Sequence, residues 1–183
     1  MEDHIVQVGA EVLRQKAKPV AKKDIGSRHL SAVIKRMIAL LGQEEFGVAI
    51  AAPQIGESLR IFIVAGRAFV PPEREEEGAV LPPPKVFINP KLVRLSKSKK
   101  EMSEGCLSVR DKYGTVLRHE KASVEALTEK GEPFIYHGAG LIGHIFQHEC
   151  DHLDGILYID KAVRLEEDEG FKKLGARRKK GTK

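Results

Sequence analysis

Two histidines four residues apart bracket a glutamate in the run His148-Glu149-Cys150-Asp151-His152. In a helix, positions i and i+4 lie one above the other on the same face, so this spacing constrains the backbone strongly. It predicts a helix over residues 138–154, ended by Gly155. On that face the two imidazoles can offer nitrogens to one metal ion. Glu149, one residue on, can reach a water on the ion without binding the metal itself. This is the division of labour of metal-assisted hydrolysis: the ion lowers the water's pKa towards ~7, and the carboxylate takes and returns the proton. The bland reading of the same five residues is a surface helix that carries two histidines.

A catalytic tetrahedral site needs a third protein ligand and an open fourth position. A metzincin-type protease would place another histidine six residues after the second, where this chain has Tyr158. Glu166, Glu167 and Glu169 could serve a carboxylate-donating protease, but they sit in a solvated-looking acidic run. Cys106, in Glu104-Gly105-Cys106-Leu107-Ser108, could approach an ion as a thiolate on a Gly-flanked strand or turn. It could equally be a small buried hydrophobe. Cys150 lies off the histidine face and reads as structural. Spacing alone leaves these alternatives open. A separate small-residue segment, residues 47–56, lets the chain pass close to something. Its one polar side chain is Gln54, an amide able to donate to a developing oxyanion.

Around these motifs the pattern is α+β. Leu30, Val33, Ile34, Met37, Ile38 and Leu41 recur at steps of three and four and predict a helix capped by Asp24 or Ser27. Residues 9–20 read as a short helical turn stopped by Pro19. Residues 59–65 read as a buried strand, and residues 86–89 and 92–95 as strands on either side of Pro90. Residues 96–100 read as a basic turn. Residues 116–118, 122–128 and 133–136 read as a short antiparallel set, with a hairpin turn over residues 129–132. Residues 71–84 combine five prolines with a charge run and read as an exposed loop. A last amphipathic stretch over residues 164–174 is expected as a C-terminal helix. The expected fold is a single α+β domain over residues 1–170, with antiparallel strands packed around a central metal-binding helix, followed by a basic tail over residues 171–183.

Composition sets the outer limits. The 183 residues carry 31 Lys+Arg against 26 Asp+Glu, but residues 171–183 hold seven of the cations and no acid. The first 170 residues are therefore nearly neutral, with 24 cations against 26 acids. A basic DNA-binding fold would spread its charge over a folded face. At 42% hydrophobic residues the chain can build one good core, which excludes a disordered protein. No apolar run approaches the ~20 residues of a membrane helix. The acidic, polar start does not match a secretory signal peptide, so reduced thiols and a cytoplasmic location are expected.

Three segments, in order, resemble the peptide deformylase family: Ala51-Ala52-Pro53-Gln54, Glu104 to Ser108, and Gln147-His148-Glu149-Cys150-Asp151-His152-Leu153. The resemblance covers most of the chain, from Val12-Leu13-Arg14 to Leu153-Asp154-Gly155. It implies that Cys106, His148 and His152 hold the metal, usually Fe²⁺, with Zn²⁺, Ni²⁺ or Co²⁺ able to substitute. It implies that Glu149 is the general base and then the general acid. Gln54 and the Leu107 backbone N–H would stabilise the oxyanion formed at the formyl carbon, and Glu104 would orient neighbouring groups. The implied reaction is hydrolysis of the N-formyl group from formyl-methionyl nascent chains, with release of formate.

The chain also departs from that pattern. Ala49 stands where a second Gly is usual and Ile50 where Leu is usual, and Arg110-Asp111 replace a common Pro-Gly. His144 takes a usually aliphatic position at the methionine pocket, whose other walls would be Val48, Ala49, Leu141 and Ile145. His144, His148 and His152 then form a row, but the eight residue steps from first to last span about 12 Å of rise, too far for one small ion to bind all three. A pocket-wall or partly exposed His144 is expected. The resemblance further implies that the basic tail docks on ribosomal RNA near the peptide exit, with steep salt dependence. A frayed terminus is the plain alternative.

Overall fold

The computed structural model describes residues 4–70 and 80–167. Most of the 71–84 loop and the basic tail therefore lie outside the described residues. Among those described, two α-helices pack on opposite faces of one antiparallel sheet, with a second, smaller sheet alongside.

The first helix, α1, spans Arg28–Gln43. Ser27 caps it, its hydroxyl accepting from the Leu30 N–H at 3.1 Å, which satisfies one of the helix's orphan donors. Its buried face is Leu30, Val33, Ile34, Met37, Leu40 and Leu41. Leu40 thus completes the stripe, and Ile38, expected on it, is only partly buried at its edge.

The five-stranded sheet runs in the order β1 (Ala49–Ala51), β2 (Ile61–Val64), β3 (Lys85–Leu95), β6 (Lys121–Leu127) and β7 (Pro133–Ala139), every pairing antiparallel. Its central strands alternate between the two faces. Ile61, Ile63, Val86 and Ile88 pack with the α1 face, while Phe62, Val64 and Phe87 pack with Ile145, Phe146 and Leu153. The latter three belong to α2, Gly140–Leu153. A strand covered on both faces reads as an unbroken apolar run, as Ile61–Val64 does. Phe62 stacks on Phe87 at 4.6 Å, and Phe146 meets Phe87 edge-on at 5.3 Å.

The three-stranded sheet has the order β4 (Lys99–Cys106), β5 (Val109–His119) and β8 (Arg164–Glu167). The structure corrects four expectations. Residues 116–118 belong to β5, which pairs with β4 and β8 and not with β6. Residues 164–167, expected to open a C-terminal helix, form β8, and the rest of that stretch lies outside the described residues. The strands on either side of Pro90 are one strand, bent by a register shift. Asn89 takes φ 51 at the bend, and its side chain accepts from the Val20 N–H at 2.8 Å and donates to Val20 O at 2.9 Å. An Asn tolerates this left-handed backbone and supplies its own peptide-like partner. The basic turn is shorter than expected, because Lys99 and Lys100 already pair in β4.

Gly155 follows α2 with φ 76, and a Cβ there would meet Arg14 O at 2.6 Å. Only glycine combines that backbone with so close an approach. The stop of α2 and the short helical turn Glu11–Arg14 are thereby locked together.

Candidate metal centre

Three elements converge on one point. α2 supplies His148 and His152 from one face, as their spacing predicts. β4 ends at Cys106, just before the turn into β5. The short turn of helix Ala52–Ile55, between β1 and β2, supplies Gln54. One ligand atom each from Cys106, His148 and His152 lies within 4.8 Å of the others, and Cys106 Sγ is 3.2 Å from His152 Nε2. A sulfur and two imidazole nitrogens form a donor set for a borderline divalent ion such as Fe²⁺, Zn²⁺, Ni²⁺ or Co²⁺, not for Mg²⁺ or Ca²⁺. Of the carboxylates considered from sequence, Glu166 and Glu167 are exposed on β8 and do not join the cluster, and Glu169 lies outside the described residues.

Behind the ligands stands Glu104, whose side chain is almost fully buried. Arg118 donates to both its oxygens, from Nε at 2.6 Å and from Nη2 at 3.0 Å. His148 donates from Nδ1 at 2.6 Å, which turns the other ring nitrogen towards the ligand cluster. His144 Nε2 lies 2.8 Å from Glu104 Oε1 without a hydrogen bond of its own. Burial alone would raise the Glu104 pKa, but His144, His148 and Arg118 together hold its carboxyl far below the usual carboxylate range. Arg118 extends the network to Asp151 at 2.6 Å, and Lys161 caps Asp151 at 2.7 Å. No local pattern marks Arg118 as part of the site. A cation on an inward-facing strand position stays buried only when paired, and its partner sits on a neighbouring strand.

Glu149 is buried, with Oε2 making no hydrogen bond. Burial raises its pKa to about 7, opposed by nearby His148 and reinforced by Glu104. Such a carboxyl can hold or release a proton near neutrality, the property a general acid–base group needs. His152 is pushed the other way, well below its ordinary value, by burial and then by His148, so it stays neutral and able to ligate.

Gln54 Oε1 accepts from the Ala51 N–H at 2.8 Å. That fixes the amide so that Nε2 faces Ser108 Oγ at 3.2 Å and Cys106 Sγ at 3.5 Å. Gln147 ties α2 to the second sheet, accepting from the His119 N–H at 3.0 Å and donating to His119 O at 2.8 Å. Cys150 sits in the core, where burial raises its thiol pKa to about 12.

The remaining predicted residues fall in different settings. Val48 and Leu141 border a cleft of about 420 Å³ together with Phe69, Tyr136 and Ile142. Ala49 and Ile145 lie deeper, in the core cluster of that side. Ala49 is absent from the left-handed residues, so a side chain fits where the resemblance expects Gly. Asp111 does take φ 62, and Arg110 beside it reaches Glu44 Oε1 at 2.9 Å. His144 points at Glu104, a destination that one face of a helix could not reveal.

Residues 2–168 match the family model described as polypeptide deformylase. The chain is 40% identical over 164 residues to a peptide deformylase of Halothermothrix orenii, covering 90% of this chain and 96% of that protein. It is 38% identical over 161 residues to one of Desulfitobacterium hafniense, covering 87% and 94%. Among solved structures it is similar to the Met-Ala-Ser-bound class I type b peptide deformylase of Acinetobacter baumannii, with TM-score 0.75 and 35% identity over 86% of this chain and 96% of that one. A peptide deformylase of Thermotoga maritima gives TM-score 0.74 at 31% identity over 88% and 97%.

Proposed function

The chain belongs to the polypeptide deformylase family, and we propose that it hydrolyses the N-formyl group from the N-terminal formyl-methionine of newly synthesised proteins, releasing formate. The observation that carries this reading is the meeting of Cys106, His148 and His152 within 4.8 Å, beside Gln54 and a buried Glu149. Cys106 Sγ and one nitrogen each of His148 and His152 hold the ion, for which Fe²⁺ is our choice and Zn²⁺, Ni²⁺ or Co²⁺ are substitutes. When bound, the ion supplies Lewis acidity, polarising the formyl oxygen and acidifying a water.

The chain's own residues do the rest. Glu149 takes the proton of the attacking water and gives it to the departing amine, with its pKa of about 7 suited to both directions. Gln54 Nε2 and the Leu107 N–H donate to the oxygen that gains charge as the formyl carbon becomes tetrahedral. Glu104 stays ionised throughout and keeps His148 in one tautomer and orientation. Val48 and Leu141, on the cleft, receive the methionine side chain and the start of the peptide, with Ala49 and Ile145 behind them in the core and His144 turned to Glu104.

The basic residues 171–183 lie outside the described residues, and docking of this tail on ribosomal RNA is part of the same proposal. A cytoplasmic site of action fits a nascent-chain substrate, and among the described residues no helix is long and apolar enough to cross a membrane. The test is formate release from formyl-Met-Ala-Ser by anaerobically metal-loaded protein. Peptide-bond cleavage without formate would favour a zincin-like protease instead. A Cys106→Ser variant with undiminished metal and activity would overturn the ligand assignment.

A further inference from the structure

Residues 5–8 cross both halves of the site. The Val6 N–H donates to Gln54 O at 2.9 Å and the Val8 N–H to Ser108 O at 2.7 Å. Between them, the exposed Gln7 donates from Nε2 to Leu107 O at 3.1 Å and to Ile5 O at 3.0 Å. The Leu107 carbonyl shares a peptide unit with the Ser108 N–H, and that N–H donates to Cys106 Sγ at 3.4 Å. A relay therefore runs from the Gln7 amide, through one peptide group, to the sulfur.

Two physical effects travel along it. The peptide is planar, so holding its oxygen holds the direction of its N–H. A donor on the carbonyl also polarises the amide and strengthens its N–H as a donor, by about 10–30% per bond in such chains. We infer that Gln7 is a positioning residue for the Cys106 thiolate, acting through the Leu107–Ser108 peptide to set how much charge the sulfur gives to its ion. The inference rests on Cys106 being a metal ligand. Gln54 and His152 also approach the sulfur, at 3.5 and 3.2 Å, but they serve the substrate oxygen and the ion. The Ser108 N–H is the contact left to tune the thiolate, and Gln7 is its adjustable end. Hydrogen bonds to sulfur lower its donation and favour the reduced state of a bound iron.

The test compares wild type, Gln7→Leu and Gln7→Lys after loading with Co²⁺, which reports thiolate ligation by a sulfur-to-metal charge-transfer band. Gln7→Leu removes the donor at an exposed position, and Gln7→Lys keeps one. The expected result is a shift of the band to lower energy in Gln7→Leu, with Gln7→Lys close to wild type and the ligand-field bands of all three unchanged. Iron-loaded Gln7→Leu should also lose activity in air faster than wild type. Superimposable spectra for wild type and Gln7→Leu, or an equal shift in both variants, would overturn the role given to Gln7. A wild-type spectrum with no sulfur band would instead remove the Cys106 assignment on which that role depends.

Discussion

Glu104 and Glu149 are withdrawn from water almost equally, at 2% and 4% exposure, yet their chemistry is opposite. Arg118, His148 and His144 surround Glu104 and hold it ionised. Glu149 has an oxygen with no hydrogen bond and a second carboxylate nearby, so burial leaves it titrating at about 7. Burial alone would have raised both. The donors that β5 and α2 aim at one carboxylate, Arg118 and His148, have no counterpart at the free oxygen of the other, which makes the first a fixed charge and the second a proton carrier.

The sharpest way to break this contrast is at Glu149. Glu149→Gln should retain its metal while turnover falls by roughly 10²–10⁴-fold, the usual worth of positioned acid–base catalysis. Metal analysis and formate release on the same sample check it, and loss of the metal would show that Glu149 ligates. Glu104→Gln acts on the other side. It removes one of the two carboxylates that pair with the buried Arg118 and leaves Asp151 as the other, so stability should fall by up to about 3–5 kcal/mol and metal affinity by about 10–100-fold. Denaturant unfolding and competition with a chelator measure the two separately.

The direction of the Glu104 shift also fixes a pH dependence. Its folded pKa lies below the ordinary 4.5, so the stability it contributes is complete above that pH and is lost as pH falls below it. Unfolding midpoints of metal-free wild type should therefore drop below about pH 4.5, and Glu104→Gln should show a shallower drop. The smallest effect is expected from His144→Leu. It removes one neighbour of Glu104 and leaves the Arg118 and His148 bonds in place, so the thermal midpoint should fall by only a few degrees, matching about 1 kcal/mol or less. A collapse as large as that of Glu104→Gln would show that His144 is needed to keep the carboxylate charged.

The sequence made some of this visible and hid the rest for identifiable reasons. The i, i+4 spacing of His148 and His152 and the apolar stripe of α1 are local patterns, and both emerge in the structure, the stripe with Leu40 added and Ile38 at its edge. The two-sided burial of β2 was equally plain in its unbroken apolar run. Cys106 is different: spacing left it one candidate among several, and only the family resemblance singled it out. Partners across a sheet are fixed by contacts far apart in sequence, which is why β5 was grouped with β6 when it belongs with β4 and β8. Arg118 was hidden for the same reason, since its value lies in a carboxylate fourteen residues away on β4. The bend at Asn89 depends on Val20, 69 positions earlier, and no local signal could supply it.

The two cysteines occupy opposite settings, and that gives the chain a built-in gauge. Cys150 is sealed in the core with its thiol raised to about 12, so it is silent to alkylating reagents while the protein is folded. Cys106 is only partly buried, and an ion held by its sulfur would block the access that this leaves. A mild alkylation of native protein would therefore label one sulfur in each molecule that lacks metal and none in each that has it. The fraction labelled, read by intact mass, is a direct count of vacant centres in a preparation, with no need for substrate.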